Sequence, residues 1–294
     1  LDLGDNLEES CEDSELAVMI RKVGIKVGDT FVENGEGSVS FRIEKILGPW
    51  IEGEESNGNG TECTVRIQDK NCTVSELLRS VGSVPIPPYL NRGAEARDTH
   101  TYNTVYASGE GSVAAPTAGL HFDNPVLEKI GSDNISFLSL HVGAGTFKPV
   151  MVEDARDHKM HSENFIVSVG ELQRIIRALE LRKRLVVVGT TSSRTLESLY
   201  WCGVKKILKD RRSDYGTSKL NDELVLGQHE WSDLKSLLAE ENSEILVIDA
   251  LKAVIENKSQ DETICGKTSL MIIPGYNFKV VEDLITNFHA PGST

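Results

Sequence analysis

Cysteine, long apolar runs and positive charge are all in short supply, and each shortage removes a class of protein. The five cysteines (Cys11, Cys63, Cys72, Cys202 and Cys265) are odd in number and never spaced C-x-x-C. That excludes a disulfide scaffold and makes a reduced, cytosol-like compartment the expectation. No window approaches the roughly 18 uninterrupted apolar residues of a spanning helix; Leu185–Val188 and Leu246–Ile248 are only strand-sized. Residues 1–15 hold seven acids and no base, so they lack the basic and apolar regions of a secretory signal. What remains is a 294-residue chain, 39% hydrophobic and 26% charged, the balance of a globular protein of about two domains.

Charge is unevenly spread. With 31 basic against 45 acidic residues the net charge is −14, which read globally argues against a polyanionic partner. Between Glu171 and Arg212, however, eleven bases meet four acids. Arg174, Arg177, Arg182, Lys183 and Arg184 form one cluster; Lys205, Lys206, Lys209, Arg211 and Arg212 form the other. Solvated helix ends are one reading and a phosphate-docking face the other, because local charge decides docking.

Residues 14–80 read as short strands broken by glycine. Leu16–Ile20, Thr30–Val32, Val39–Ile46 and Thr64–Ile67 are the strand candidates, with turns at Gly24, Gly28, Gly35, Gly37 and Gly48-Pro49 and a hairpin loop at Asn57–Gly60. Such spacing suggests a small barrel. The prolines of Val84–Pro88 mark a boundary, since proline cannot donate to a ladder. Strand and helix then alternate, which argues an α/β layer architecture. Helices are expected from Asn124-Pro125 to Gly131, over Gly170–Arg184, Arg194–Trp201 and Trp231–Ala239. Strands are expected at Ile135–Val142, Leu185–Gly189, Glu244–Ile248 and Leu270–Ile273.

Four segments place glycine, hydroxyl and histidine residues at element ends. Gly111–Phe122 is a run of small residues that lets a ligand approach backbone closely, or packs a tight corner. In Leu140–Phe147, His141 projects from the strand face opposite Leu138, Leu140 and Val142, at the carboxyl end where open α/β sheets bind ligands; a structural histidine is the alternative. His158–Glu163 invites a metal reading, but its spacing is not H-E-x-x-H and no further cluster supplies ligands, so no metal is expected. In Val188–Glu197 a glycine leads into hydroxyls at a helix start, with Arg194 in the first turn. That is an anion site or a simple cap.

Together these segments resemble one family, the S-adenosylmethionine:tRNA ribosyltransferase-isomerases of queuosine biosynthesis. Tyr102–Ala107 and Gly111–Phe122 match its run ending A-P-T-A-G-L-H-F, and Leu140–Val150 its L-H-V-G-x-G-T-F-x-P-V. Met160–Glu163 match M-H-x-E, Val188–Glu197 match V-G-T-T-x-x-R-x-L-E, Pro274–Phe278 match P-G-Y-x-F and Leu284–His289 match L-I-T-N-F-H. Cys265–Ser269 follow S-G-x-T-D only loosely, Ala290 stands where leucine is usual and Gly292 where a base is usual.

The resemblance implies a layered α/β domain with a smaller β-barrel domain. The expected division is a barrel over residues 1–82 without the family's opening segment, and an α/β catalytic domain over 83–294 without its closing helix. It also implies a reaction. The ribosyl group of S-adenosylmethionine passes to 7-aminomethyl-7-deazaguanine in tRNA and is isomerised, giving epoxyqueuosine-tRNA, adenine and methionine. The sulfonium nucleoside is consumed as substrate, and no cofactor is implied. Expected partners are a tRNA anticodon stem-loop and S-adenosylmethionine, met by a cytoplasmic monomer without a membrane.

By the resemblance, His121, His141, His161 and His289 are the proton-transfer candidates, ahead of His100, His158 and His229. Histidine suits such steps because it titrates nearest neutral pH. Substrate contacts fall to Tyr102, Tyr106, Pro116, Thr117, Ala118, Gly119, Phe122, Gly143, Gly145, Thr146, Phe147, Glu163, Gly189, Thr190, Thr191, Arg194 and Asn287. tRNA phosphates fall to Arg174, Arg177, Arg182, Lys183, Arg184, Lys205 and Lys206. A shortened member that binds tRNA or S-adenosylmethionine without turnover is the competing reading.

Overall fold

The computed structural model describes residues 15–20, 26–32, 40–49, 61–67, 82–87, 90, 92–108, 112–143, 152–211 and 224–288. The chain divides into two compact units. One comprises Leu1–Tyr102 with Ser108–Ala115 and Val142–Pro149; the other comprises Asn103–Ala107, Pro116–His141 and Val150–Thr294.

The first unit is built on β1 (Glu15–Ile20), β2 (Thr30–Val32), β3 (Ser40–Pro49) and β4 (Thr61–Ile67), an antiparallel sheet in the order β1-β4-β3-β2. Ile43 lies opposite Val65 in the β3–β4 ladder, and both are buried together with Cys63. All four strands expected from the glycine-broken pattern are present. The turn expected at Gly48-Pro49 is not: β3 runs through it, slipping register between Ile43 and Lys45 and again between Ile46 and Gly48. A bulge absorbs the extra residue where the sequence suggests a stop, and it bends and twists the strand. The expected turns at Gly24, Gly35 and Gly37 and the loop at Asn57–Gly60 lie outside the described residues. Further on, the helix α1 (Asp98–Thr101) is anchored by Asp98, which accepts two bonds from the Arg92 guanidinium (2.6 and 2.8 Å) and one from the Glu95 amide. Those donors hold its carboxyl well below the usual carboxylate range.

The second unit mixes helices with two small sheets. Its elements are α2 (Asn124–Ile130), β5 (Ser139–His141), β6 (Glu163–Ser168), α3 (Val169–Glu180), β7 (Val186–Val188), α4 (Thr190–Arg211), β8 (Leu224–Leu226), α5 (Glu230–Glu240), α6 (Val247–Val254), β9 (Thr263–Thr268) and β10 (Asp283–Ile285). One sheet runs β5-β6-β9-β8, antiparallel except for the β8–β9 pair; β7 and β10 form a separate parallel pair. The core gathers around α4, whose Leu196, Leu199, Tyr200, Trp201 and Val204 are buried with Leu172, Leu251 and Phe165.

Local chemistry explains the helix ends. Ser168 caps α3 by accepting the Glu171 amide, and Leu172, Ile175 and Ile176 turn inward while Arg174 and Arg177 stay exposed. α2 is capped by Asp123, one residue earlier than expected, because its carboxylate accepts the Val126 amide; Gly131 closes the helix at a φ of 84°. Gly203 has no side chain for a different reason. A methyl there would lie 2.0 Å from the Ala250 carbonyl oxygen, so glycine is what lets α4 and α6 cross in contact.

Other expectations are corrected. Glu244–Ile248 is not a strand: the apolar run enters α6, where Val247, Ala250, Leu251 and Val254 follow helical spacing. Leu270–Ile273 joins no ladder; the strand lies just before it, as β9. α4 extends well beyond Arg194–Trp201 at both ends, and Ile135–Val142 contributes only the three-residue β5. The sheet bearing His141 is not an open parallel one. No helix among the described residues is long and apolar enough to cross a membrane.

Candidate functional site

Two adjoining strands and one helix bring three of the expected residues together. β6 exposes alternate faces, so Glu163, Phe165 and Val167 point into the core while Asn164 and Ile166 point away. Glu163 opens the strand opposite Thr268 of β9. Arg194, in the first turns of α4, donates Nη1 to Glu163 Oε2 and Nη2 to the Thr268 carbonyl at 3.1 Å. The other carboxylate oxygen meets His161 Nε2 at 2.9 Å.

Glu163 and Arg194 are almost fully buried, while the His161 side chain keeps 30% of its exposure. Burial pushes the Arg194 guanidinium down, and Glu163 opposes that shift. An ion pair removed from water persists only when further hydrogen bonds complete it; the Thr268 carbonyl supplies one to the guanidinium and the His161 ring one to the carboxylate. Ser198 donates to the Arg194 carbonyl at 2.7 Å and shares a 2.7 Å bond with the Thr268 hydroxyl. Arg194 Nε is left buried without a partner among the described residues. The loop before His161 is held by Gln228, whose amide accepts from Met160 N at 2.9 Å and donates to the His158 carbonyl. Arg194 is therefore committed inward rather than offered as a free cation at the helix start.

A second grouping lies at the carboxyl ends of the parallel β7–β10 pair. Gly189 follows β7 with a φ of 89°, which the turn into α4 requires, and its amide bonds the Ile285 carbonyl at 2.9 Å. Thr190 and Thr191 open the helix, leaving first-turn amides without intrahelical acceptors. The Ser193 hydroxyl is buried without a partner among the described residues. Asn287, two residues beyond β10, donates to the Thr117 hydroxyl, so the Pro116–Phe122 segment is tied to this end. There Thr117–His121 form a single 3₁₀ turn in which Ala118 and Gly119 are buried. Gly119 lacks a side chain because the Tyr106 hydroxyl occupies the place of its Cβ, 1.9 Å from where that atom would be. Tyr106 in turn stacks obliquely on Phe137 at 5.6 Å.

Two further candidate histidines have defined places in the second unit. His121 is exposed at the end of its turn. His141 pairs with Asn164 across the β5–β6 ladder and so shares the sheet face away from Glu163. Tyr102 and Gly143 belong to the first unit. His289, Gly145, Thr146 and Phe147 lie outside the described residues. A cleft of about 450 Å³ bordered by Tyr200, Trp201, Leu246 and Phe278, and another of about 370 Å³ bordered by Arg174, Arg177 and Gln260, include none of the candidate histidines. Among the described residues no three His, Cys, Asp or Glu side chains gather as a metal-binding group.

The basic clusters also sort by partner. Arg184 makes a two-pronged pair with Asp283, Lys205 pairs with Glu230, Lys206 with Glu256, and Arg174 with Glu171. Arg177, Arg182 and Lys183 are exposed with no ion pair among the described residues.

Gln228, Thr268 and Ser198 carry no local signal in the sequence, and Glu197 stands out there only as the end of the Val188–Glu197 segment. The Glu197 carboxylate is fully buried, and accepts the Tyr276 hydroxyl at 2.8 Å and the amides of Lys279, Val280 and Val281. Trp201 Nε1 donates to the same Tyr276 oxygen. Burial beside Glu197 pushes the Tyr276 phenol up. The matched P-G-Y-x-F segment is thus fastened to α4 by a closed clasp whose donors are all uncharged.

Comparison with known proteins gives these residues a context. Residues 10–294 match the family described as queuosine biosynthesis protein. The S-adenosylmethionine:tRNA ribosyltransferase-isomerase of Halothermothrix orenii is 38% identical over 221 residues, covering 74% of this chain and 48% of that protein. The chain spans about half the length of the curated relative it matches.

Proposed function

Because the chain belongs to the family of queuosine biosynthesis proteins, we propose that it transfers and isomerises the ribosyl group of S-adenosylmethionine onto the aminomethyl arm of 7-aminomethyl-7-deazaguanine in tRNA. The products are epoxyqueuosine-tRNA, adenine and methionine. The observation that carries this reading is the centre formed by His161, Glu163 and Arg194, drawn from two separate segments that resemble the family's own. Proton transfer at near-neutral pH needs an imidazole held at a fixed angle, and a buried carboxylate on one ring nitrogen supplies that.

The rest of the reading follows from charge and exposure. The free amides of the α4 start and the Ser193 hydroxyl suit an anion, either the methionine carboxylate or an anticodon phosphate. Thr117 and Asn287, bonded to each other just beyond β10, are the polar side chains offered for a further substrate contact. Arg177, Arg182 and Lys183 meet tRNA phosphates; the internally paired Arg184, Lys205 and Lys206 contribute less. The twice-bulged β3 supports a curled sheet, and we assign residues 1–82 to a small barrel and 83–294 to the α/β catalytic domain. The protein acts as a cytoplasmic monomer and holds no cofactor.

The test is adenine release from S-adenosylmethionine in the presence of tRNA bearing the aminomethyl base. Adenine formed only when both are present supports the reading. Salt-sensitive tRNA binding with no adenine above the enzyme-free control replaces it with that of a non-catalytic binder.

A further inference from the structure

We propose that His161 is the base that strips a proton from the aminomethyl ammonium of the tRNA substrate, and that Glu163, held by Arg194, is the residue that positions it. The inference rests on the ribosyl-transfer reading above and assigns one histidine to one step of it.

Hydrogen-bond polarity fixes which ring nitrogen is free. Glu163 is an acceptor on both oxygens: Oε2 takes a bond from Arg194 and Oε1 faces His161 Nε2 at 2.9 Å. An ionised carboxylate has no proton to give, so the neutral ring must carry its hydrogen on Nε2. The lone pair is then on Nδ1. The ring is the one part of the triad that keeps exposure, 30% against 4% for Glu163 and 10% for Arg194. It is therefore the member a substrate can reach. Among the described residues, Glu163 from β6 meets the ring and Arg194 from α4 meets that carboxylate; the Thr268 carbonyl of β9 accepts from Arg194, and His158 and Lys159 precede the ring in the chain.

The choice of proton follows from the chemistry of imidazole. A mild base exchanges protons readily with nitrogen acids and poorly with carbon acids, which suits the arm and not a C–H of the nucleoside. In the step, Nδ1 takes one proton from the –NH₃⁺ group and the N–H bonding pair stays on that nitrogen, leaving the neutral –NH₂ that the transfer requires. The imidazolium so formed lies against Glu163 and later returns its proton to water.

Two measurements on the full chain test this. The first is the ¹⁵N imidazole spectrum, which needs no substrate. Wild type should show His161 as the Nε2–H tautomer. In Glu163→Gln the guanidinium claims the amide oxygen and turns NH₂ toward the ring, so the tautomer should reverse. An Nδ1–H ring in wild type, or no change in the variant, overturns the positioning role. The second is the pH profile of adenine release. His161→Gln should lose about 10²- to 10⁴-fold in kcat at pH 7. That deficit should shrink roughly tenfold per unit toward pH 9, because an alkylammonium that titrates near 10 loses its proton unaided. Glu163→Asp should recover part of what Glu163→Gln loses. A deficit that stays constant with pH, or a change confined to KM, overturns the assignment. A wild-type chain that releases no adenine overturns the reaction and His161's use in it. An active wild type lacking the tautomer overturns the triad alone.

Discussion

Two carboxylates buried in the same unit, Glu163 and Glu197, have opposite surroundings. Glu197 is met by a phenol and three backbone amides, all neutral and all shut away. Glu163 is met by a guanidinium on one side and by a half-exposed imidazole on the other. The first arrangement fastens the Tyr276–Val281 segment to α4 and leaves nothing for a ligand. The second keeps one titratable ring in reach of solvent. Burial of a charge by itself therefore does not mark a site. What marks it is whether the partners are ionisable and whether one of them still faces outward.

Removing one partner from each centre should sharpen that contrast. The largest effect is expected for Arg194→Met, which strands the Glu163 charge among buried atoms. Denaturant unfolding should report a loss of about 3–5 kcal/mol. A loss below about 1 kcal/mol would mean that Glu163 reaches water. Glu197→Gln comes next: it keeps the shape but puts an NH₂ against donors, so about 2–3 kcal/mol should go. Because nothing in this clasp is aimed at substrate, adenine release per folded molecule should change less than twofold. A kinetic loss without an unfolding change would reverse the roles assigned to the two centres.

The smallest effect is one of pH. Tyr276 and Tyr200 both have phenols pushed up by burial, Tyr200 to about 12, so the folded protein resists ionising them. An unfolded tyrosine ionises near 10. The stability these groups contribute is full below about pH 10 and is lost as pH rises from there, through about 12 for Tyr200 and higher still for Tyr276. Tyr276→Phe should flatten the alkaline limb of a thermal-melting profile, while the limb stays unchanged in His161→Gln. Equal flattening in both would remove the distinction.

Much of this architecture could be read from the chain because local rules and burial agree. The glycine-broken strands β1–β4, the Leu172–Ile176 face of α3 and the cap-and-glycine ends of α2 all follow from short-range pattern. Two strands that this pattern does not reveal share one cause. β6 and β9 place glutamate, glycine and threonine at core positions, where an alternation of apolar residues is what a reader looks for. Those residues are tolerated there only because Arg194, Phe165 and Ser198, distant in sequence, complete them. The same holds for the centre itself. His161, Glu163 and Arg194 were each visible as candidates, but the sequence ranked His121 and His141 equally with His161. Only the ladder registers separate His141 from the carboxylate.

Gly203 has a reach beyond its own crossing. It sits nine residues after Arg194, about 13 Å along the same rod at 1.5 Å per residue. A rigid rod that may neither roll nor slide where it touches α6 cannot roll or slide at its far end. The missing methyl at 203 behaves as a set-screw: it fixes the azimuth of the whole helix and so the bearing on which the guanidinium leaves it.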